Sequence, residues 1–234
     1  MTGKSDQPTT RDRSSCQPAP FLNDAGELRE FLLGSASLDV AVWDFDGVVV
    51  DSEPVHASAY RDVLASRGVS PPSGFFLPYT GQTERAIWTG LAEEYGELGN
   101  YQELRSERIR VVATQLFAAP PNWFVGVALA ALEALGTRSV MVSSGNRETI
   151  DEYLQIWDLQ QSFDSVSAAS SGADVAPKAE RLTALVAGKS GLLIEDSPQH
   201  ISLAKRLGAV AIGVEHSYNV GADWHADVML RAGV

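Results

Sequence analysis

Three short apolar runs in this chain each stop at a polar cluster, and that pattern constrains the fold more than any other feature. Val40-Ala41-Val42-Trp43 runs into Asp44-Phe45-Asp46-Gly47. Ser139-Val140-Met141-Val142 runs into Ser143-Ser144-Gly145-Asn146, and Gly191-Leu192-Leu193-Ile194 into Glu195-Asp196-Ser197-Pro198. A continuous apolar run of this length reads as a strand covered on both faces. Helical spacing follows the last two runs: Ile150, Tyr153, Leu154 and Trp157, then Ile201, Ala204 and Leu207 before Gly208. A further strand is expected from Ala209 to Val214. Strands alternating with helices predict an α/β fold, a Rossmann-like parallel sheet with helices on both faces. Ligands bind beyond the carboxyl ends of such strands, so the three clusters point at one crevice.

The pattern changes between Pro54 and Pro121. Tyr60, Val63 and Leu64, then Ile87, Trp88, Leu91 and Tyr95, then Leu104, Ile109, Val112 and Leu116 mark three helices with no strand between them. Residues 54–120 are therefore expected to be a helical insert, left through Ala118-Ala119-Pro120-Pro121. Residues 21–53 and 121–234 form the α/β core, and residues 1–20 read as a disordered tail. Asp24-Ala25-Gly26-Glu27 has capping-box spacing for a first helix carrying Leu28, Phe31 and Leu32.

The net charge of -12 disfavours nucleic acid and anionic membrane as partners. A phosphorylated small molecule stays possible, because a metal reverses the local field. Cys16 is the only cysteine, so no internal disulfide is available. Neither a membrane span nor a signal-peptide stretch is evident, and a cytoplasmic location is the expectation. No protein partner is implied.

Asp44 and Asp46 are two residues apart at a strand end, a spacing that puts both side chains on one face. With Glu195 and Asp196, up to four carboxylates meet at the crevice. Such a group is suited to a hard cation bound through oxygen, Mg²⁺ where phosphate is also present. Ser143, Ser144 and Lys178 offer hydroxyls and a positive charge to a phosphate. Each group also has a plainer reading. Asp-x-Asp fits a turn, the serines fit a helix cap, Lys178 fits a solvated surface, and Glu195-Asp196-Ser197-Pro198 fits a helix start.

The segment Asp44-Phe45-Asp46-Gly47-Val48-Val49-Val50-Asp51-Ser52-Glu53-Pro54 resembles the opening motif of the haloacid dehalogenase-like hydrolase superfamily, in the branch with a helical cap after the first strand. Val142-Ser143-Ser144 is similar to its second motif, and Lys178 lies where the third supplies a lysine. Ile194-Glu195-Asp196-Ser197 resembles the fourth, continued by Ala204 to Val214. The likeness runs from about Asp39 to Met229. One departure is that proline precedes the lysine, in Pro177-Lys178-Ala179.

The resemblance implies that Asp44 attacks phosphorus to form an aspartyl-phosphate. It implies that Asp46 protonates the leaving oxygen and then activates water. Mg²⁺ would be held by the Asp44 carboxylate, the Asp46 carbonyl and Asp196, with Glu195 acting through water or in support. Ser143, Lys178 and a helping Ser144 would hold the phosphoryl oxygens. Gly47 would permit a tight turn after the nucleophile. Glu53, His56, Gln82 and Arg85, the latter two beside a Gly81-Gln82-Thr83-Glu84 loop resembling a cap loop, are candidate substrate contacts from the insert. His56 also reads as a helix-surface residue, and Thr83 as a helix cap.

The activity implied is a phosphatase for a small phosphorylated metabolite. A β-phosphoglucomutase-like phosphomutase, which has a histidine at the His56 position, is the alternative. It is disfavoured by the lack of lysine from Gly96 to Ala118. Dehalogenases lack the second aspartate of the opening motif. Phosphonatases need a cap lysine, absent from residues 54–121. A phospho-accepting signalling domain would combine similar residues without the long insert.

Overall fold

The computed structural model describes residues 19–35, 37–79, 82–169, 175–222 and 224–233. The expected tail thus lies outside the described residues up to position 18, as does Gly81.

Val40–Trp43 forms strand β1, and its apolar run is explained by cover on both sides. Ala41 and Trp43 enter one core, Val40 and Val42 the other. The remaining strands are β2 (Arg138–Asn146), β3 (Ser165–Ala169), β4 (Gly191–Glu195), β5 (Val210–Glu215) and β6 (Val228–Arg231). They form a six-stranded sheet in the order β3-β2-β1-β4-β5-β6. Every neighbouring pair is parallel. The chain moves outward from β1 to β3 and then returns to β1's other side with β4. This reversal opens a crevice at the carboxyl ends of the strands. Trp43 lies level with Met141 and Ile194, so Asp44 and Glu195 emerge side by side. The α/β fold expected is the fold found, with β3 and β6 added at the two edges.

The helices are α1 (Ala25–Gly34), α2 (Glu53–Ala65), α3 (Glu84–Tyr95), α4 (Tyr101–Ala118), α5 (Phe124–Ala134), α6 (Arg147–Ile156), α7 (Lys178–Val186) and α8 (Pro198–Arg206). Asp24 caps α1, its Oδ1 accepting from the N–H groups of Gly26 and Glu27 at 2.7 and 2.9 Å. Helices α1, α5 and α6 cover one sheet face, α7 and α8 the other.

Between β1 and α5, no further strand occurs among the described residues, apart from an isolated bridge between Asp46 and Val50. Helices α2, α3 and α4 share a core of their own, including Tyr60, Val63, Phe76, Trp88, Leu91 and Leu104. The Tyr60 ring packs 5.0 Å from Phe76 and 4.8 Å from Trp88. Helix α2 starts at Glu53, one residue before the expected boundary, with Pro54 in its first turn, where a missing N–H costs no hydrogen bond. The return to the sheet is anchored by Asn122. Its N–H donates to the Val49 carbonyl at 2.9 Å and its side-chain amide to that of Val48 at 2.8 Å.

Candidate active site

Asp44 follows β1 directly and is held from two directions. Its Oδ1 accepts from the Phe45 N–H at 2.7 Å, and its Oδ2 lies 2.5 Å from Lys178 Nζ. The same ammonium lies 2.9 Å from Glu195 Oε2. Lys178 begins α7, and Arg181 fixes the surroundings of that helix start. The Arg181 guanidinium donates to the carbonyls of Ala176, Ser167 and Ser143 at 2.9, 2.6 and 3.0 Å. One side chain thereby ties the lysine's loop to β3 and to the end of β2.

Asp196 completes an acidic group. Oxygen atoms of Asp44, Glu195 and Asp196 lie within 4.8 Å of one another. Lys178 meets two of these three carboxylates, with His200 Nδ1 3.2 Å from Glu195, while Asp196 meets His216. Burial, and the neighbouring carboxylates, push the acids of Asp44 and Glu195 above the ordinary range, with Lys178 opposing. Buried carboxylates in excess of their cations are relieved by a bound cation, and an all-oxygen set suits a hard one. The residues present therefore fit Mg²⁺. Gly47 makes room for this arrangement: at its φ of 73°, an added Cβ would overlap the Asp196 carboxylate, 2.8 Å from Cγ. His216 Nε2 lies 3.0 Å from Asp196 Oδ2, and Asn219 donates to the Asp196 carbonyl at 3.0 Å.

Asp46 has different surroundings. Its side chain is 42% exposed and lines a crevice of about 550 Å³ beneath the insert helices. Its carboxyl is pushed up to about 7, first by loss of water and then by the charge of Asp44. Across the crevice stands His56, with Nε2 at 4.0 Å from Asp46 Oδ1. Burial, then Arg108, pushes the imidazole down to about 4, so the contact is not an ion pair. Arg108 is always a donor and lies 3.4 Å from His56 Nδ1. Nδ1 must accept, which leaves the imidazole proton on Nε2, toward Asp46.

At the end of β2, the buried Ser143 hydroxyl accepts from the Gly145 N–H at 2.9 Å. Ser144 is exposed and lines the crevice with Gly145 and Asn146. Asn146 caps α6, its Oδ1 accepting from the Thr149 N–H at 2.9 Å, so the helix start faces the same space.

The family model described as haloacid dehalogenase-like hydrolase matches residues 41–214. The chain belongs to this family. A phosphorylated carbohydrates phosphatase of Thermotoga maritima is 27% identical over 204 residues, covering 79% of this chain and 88% of the relative. A solved structure from Thermotoga maritima, provisionally named a β-phosphoglucomutase, has a TM-score of 0.64 at 24% identity. It covers 83% of this chain and 94% of its own. CbbY of Rhodobacter sphaeroides, solved with xylulose-1,5-bisphosphate, has a TM-score of 0.64 at 17% identity over 82% of this chain and 93% of its own. These solved neighbours share the fold.

Within this family member, the other expected contacts separate. Glu53 begins α2, and burial raises its carboxyl while His216 opposes. It therefore belongs to the Asp196 side of the site. Gln82 and Arg85 do not line the crevice. They line a separate surface cavity with Thr89 and Glu93, and Arg85 lies 4.2 Å over the Tyr101 ring. Glu84, the last residue of the cap-like loop, does line the crevice, as do Arg105 and Arg108, which the sequence did not single out. Their one local signal was the spacing of the two arginines, which places them on one face of α4.

Proposed function

We propose that the protein is a Mg²⁺-dependent phosphatase that cleaves small phosphorylated carbohydrates through an aspartyl-phosphate on Asp44. The observation that carries this reading is the contrast between Asp44 and Asp46. Two carboxyls two residues apart have opposite surroundings. Both acids are raised, but Asp44 is buried and fixed by Lys178 and the Phe45 N–H, whereas Asp46 has no such cation and is open to the crevice beside His56. A nucleophile needs the first environment and a general acid the second.

In the first half-reaction an Asp44 oxygen forms a bond to phosphorus as the ester P–O bond breaks. The departing oxygen takes its proton from Asp46. In the second, Asp46 accepts a proton from water as the water oxygen attacks phosphorus. Inorganic phosphate leaves and Asp44 is restored. Lys178 neutralises the phosphoryl oxygens together with the nucleophile, and Ser143 and Ser144 donate to them. Asp44, Asp196 and the Asp46 carbonyl would hold Mg²⁺, with Glu195 in support. The ion would supply positive charge beside the transferring group.

Helices α2 to α4, residues 54–120, act in this reading as a cap over a core of residues 21–53 and 121–234. His56 then stands where substrate enters, and Glu53 on the Asp196 side. The carbohydrate class is supported by the name of the Thermotoga maritima phosphatase. A phosphomutase is the second reading, favoured by His56 beside Asp46.

The test is phosphate release from a panel of sugar phosphates with Mg²⁺, alongside Asp44→Asn. Release is expected in the wild type and is abolished in the variant. Turnover surviving in Asp44→Asn removes Asp44 as nucleophile. Interconversion of sugar 1- and 6-phosphates without release favours the mutase.

A further inference from the structure

The helical wall of the crevice holds a carboxylate between two guanidiniums. Glu84 Oε1 accepts from Arg108 Nε at 2.7 Å, and Glu84 Oε2 lies 3.3 Å from Arg105 Nε. Glu84 and Arg108 are 20% and 15% exposed, and Arg105 is 49% exposed. Arg108 is further held over the Tyr60 ring at 5.1 Å and by His56 Nδ1. All three residues line the same crevice as Asp46, Ser144 and Asn146.

A phosphate that is not being transferred carries close to two negative charges and is bound by guanidiniums whose charge is uncommitted. Here both arginines face an internal anion. The three side chains leave one net positive charge where the two arginines alone would carry two, and the Glu84 carboxylate lines the crevice beside them. A like charge in a half-buried site penalises that ligand strongly. Sugar hydroxyls, in contrast, both donate and accept. They match a wall presenting guanidinium donors beside carboxylate acceptors.

We propose that Glu84, by pairing with Arg105 and Arg108, sets this wall to take the uncharged hydroxyl-bearing end of a sugar monophosphate and to reject a second phosphate. This deepens the phosphatase reading and rests on it. It makes Glu84 a specificity-determining residue, and it separates this crevice from one built for bisphosphates.

The test compares a hexose 6-phosphate with the matching 1,6-bisphosphate, using the full chain with Mg²⁺. Wild type should favour the monophosphate in kcat/KM. Glu84→Gln, which frees both arginines, should shift the ratio toward the bisphosphate by about tenfold or more, mainly through KM. Arg105→Gln replaces a half-exposed side chain and should move the ratio the other way. Calorimetric binding of the two compounds reads the same preference without turnover. A ratio within about twofold of wild type in Glu84→Gln, by kinetics and by binding, overturns the proposal. Hydrolysis of p-nitrophenyl phosphate by the wild type tests the underlying reading separately, since that ester has neither sugar hydroxyls nor a second phosphate. Its absence alongside a shifted binding ratio would sink the phosphatase and leave Glu84 in its role.

Discussion

Lys178 Nζ stands 2.5 Å from Asp44 Oδ2, and both side chains are only 8% exposed. The same ammonium is the cation nearest Glu195, whose side chain is 1% exposed. Removing one partner from a buried ion pair costs about 3–5 kcal/mol, because the other charge stays buried and unpaired. Lys178→Met should therefore lower the stability of the metal-free protein by that order. Mg²⁺ should restore part of the loss, since a cation can replace the ammonium's charge. Turnover should fall by about 100-fold or more. Urea denaturation with and without Mg²⁺ checks the first two outcomes. An unchanged midpoint would mean that the pair contributes nothing.

The raised carboxyl of Asp46 gives a pH prediction with a definite sign. Its ordinary value is 3.8 and its value in the fold about 7. The folded chain therefore holds a proton that the unfolded chain releases between those values. That proton's contribution to stability is complete below 3.8 and is lost as pH rises through 7. In metal-free protein, carbon-13 NMR should find the Asp46 carboxyl titrating near 7. Asp44→Asn should lower it, since the Asp44 charge is the second cause of the shift. A wild-type midpoint near 4 would refute the assignment of Asp46 as the proton carrier.

Strands β1, β2, β4 and β5 were legible because a strand covered on both faces must be continuously apolar. Edge strand β3 was not, because Ser165 is exposed and Val166 and Ser167 only half-buried, so no apolar run is needed. Strand β6 spans four residues, as β1 does, but it runs into no polar cluster of the kind that marks the end of β1. The carboxylates of the site were legible because their strands carry them to one edge of the sheet. Glu84 was legible only as the end of a cap-like loop; its pairing with Arg105 and Arg108 was not, because their meeting depends on how α3 packs against α4 around Trp88, Leu91 and Leu104. Local spacing likewise does not fix which side of the insert Gln82 and Arg85 occupy.

Gly47 and Gly68 make a controlled pair. Both have positive φ, 73° and 75°, but an added Cβ meets Asp196 at Gly47 and nothing within 4 Å at Gly68. Alanine in the left-handed region costs about 1–2 kcal/mol at either position. Gly47→Ala must in addition displace the Asp196 carboxylate. Chemical denaturation should show Gly47→Ala losing clearly more stability than Gly68→Ala. Its Mg²⁺ requirement should rise while that of Gly68→Ala stays at wild type. Equal losses would mean that Asp196 moves aside at no cost.

His216 tests whether the orientation of Asp196 matters. The Tyr218 N–H donates to His216 Nδ1 at 3.3 Å, so Nδ1 accepts and the proton sits on Nε2, aimed at Asp196 Oδ2. Asn219 braces the same turn, donating to the carbonyls of Asp196 and Val214 at 3.0 Å and accepting from the His216 N–H at 2.7 Å. His216→Phe keeps the ring volume approximately and removes the donor. If Asp196 is a ligand, losing a partner that orients it should weaken metal binding by about 10–100-fold. Phosphate release measured against Mg²⁺ concentration should shift to higher Mg²⁺ by that factor. The rate at saturating Mg²⁺ should fall much less, because excess ion compensates for a poorly held ligand. A curve that loses rate at every Mg²⁺ concentration, with no shift in midpoint, would move His216 from holding Asp196 to acting on the substrate.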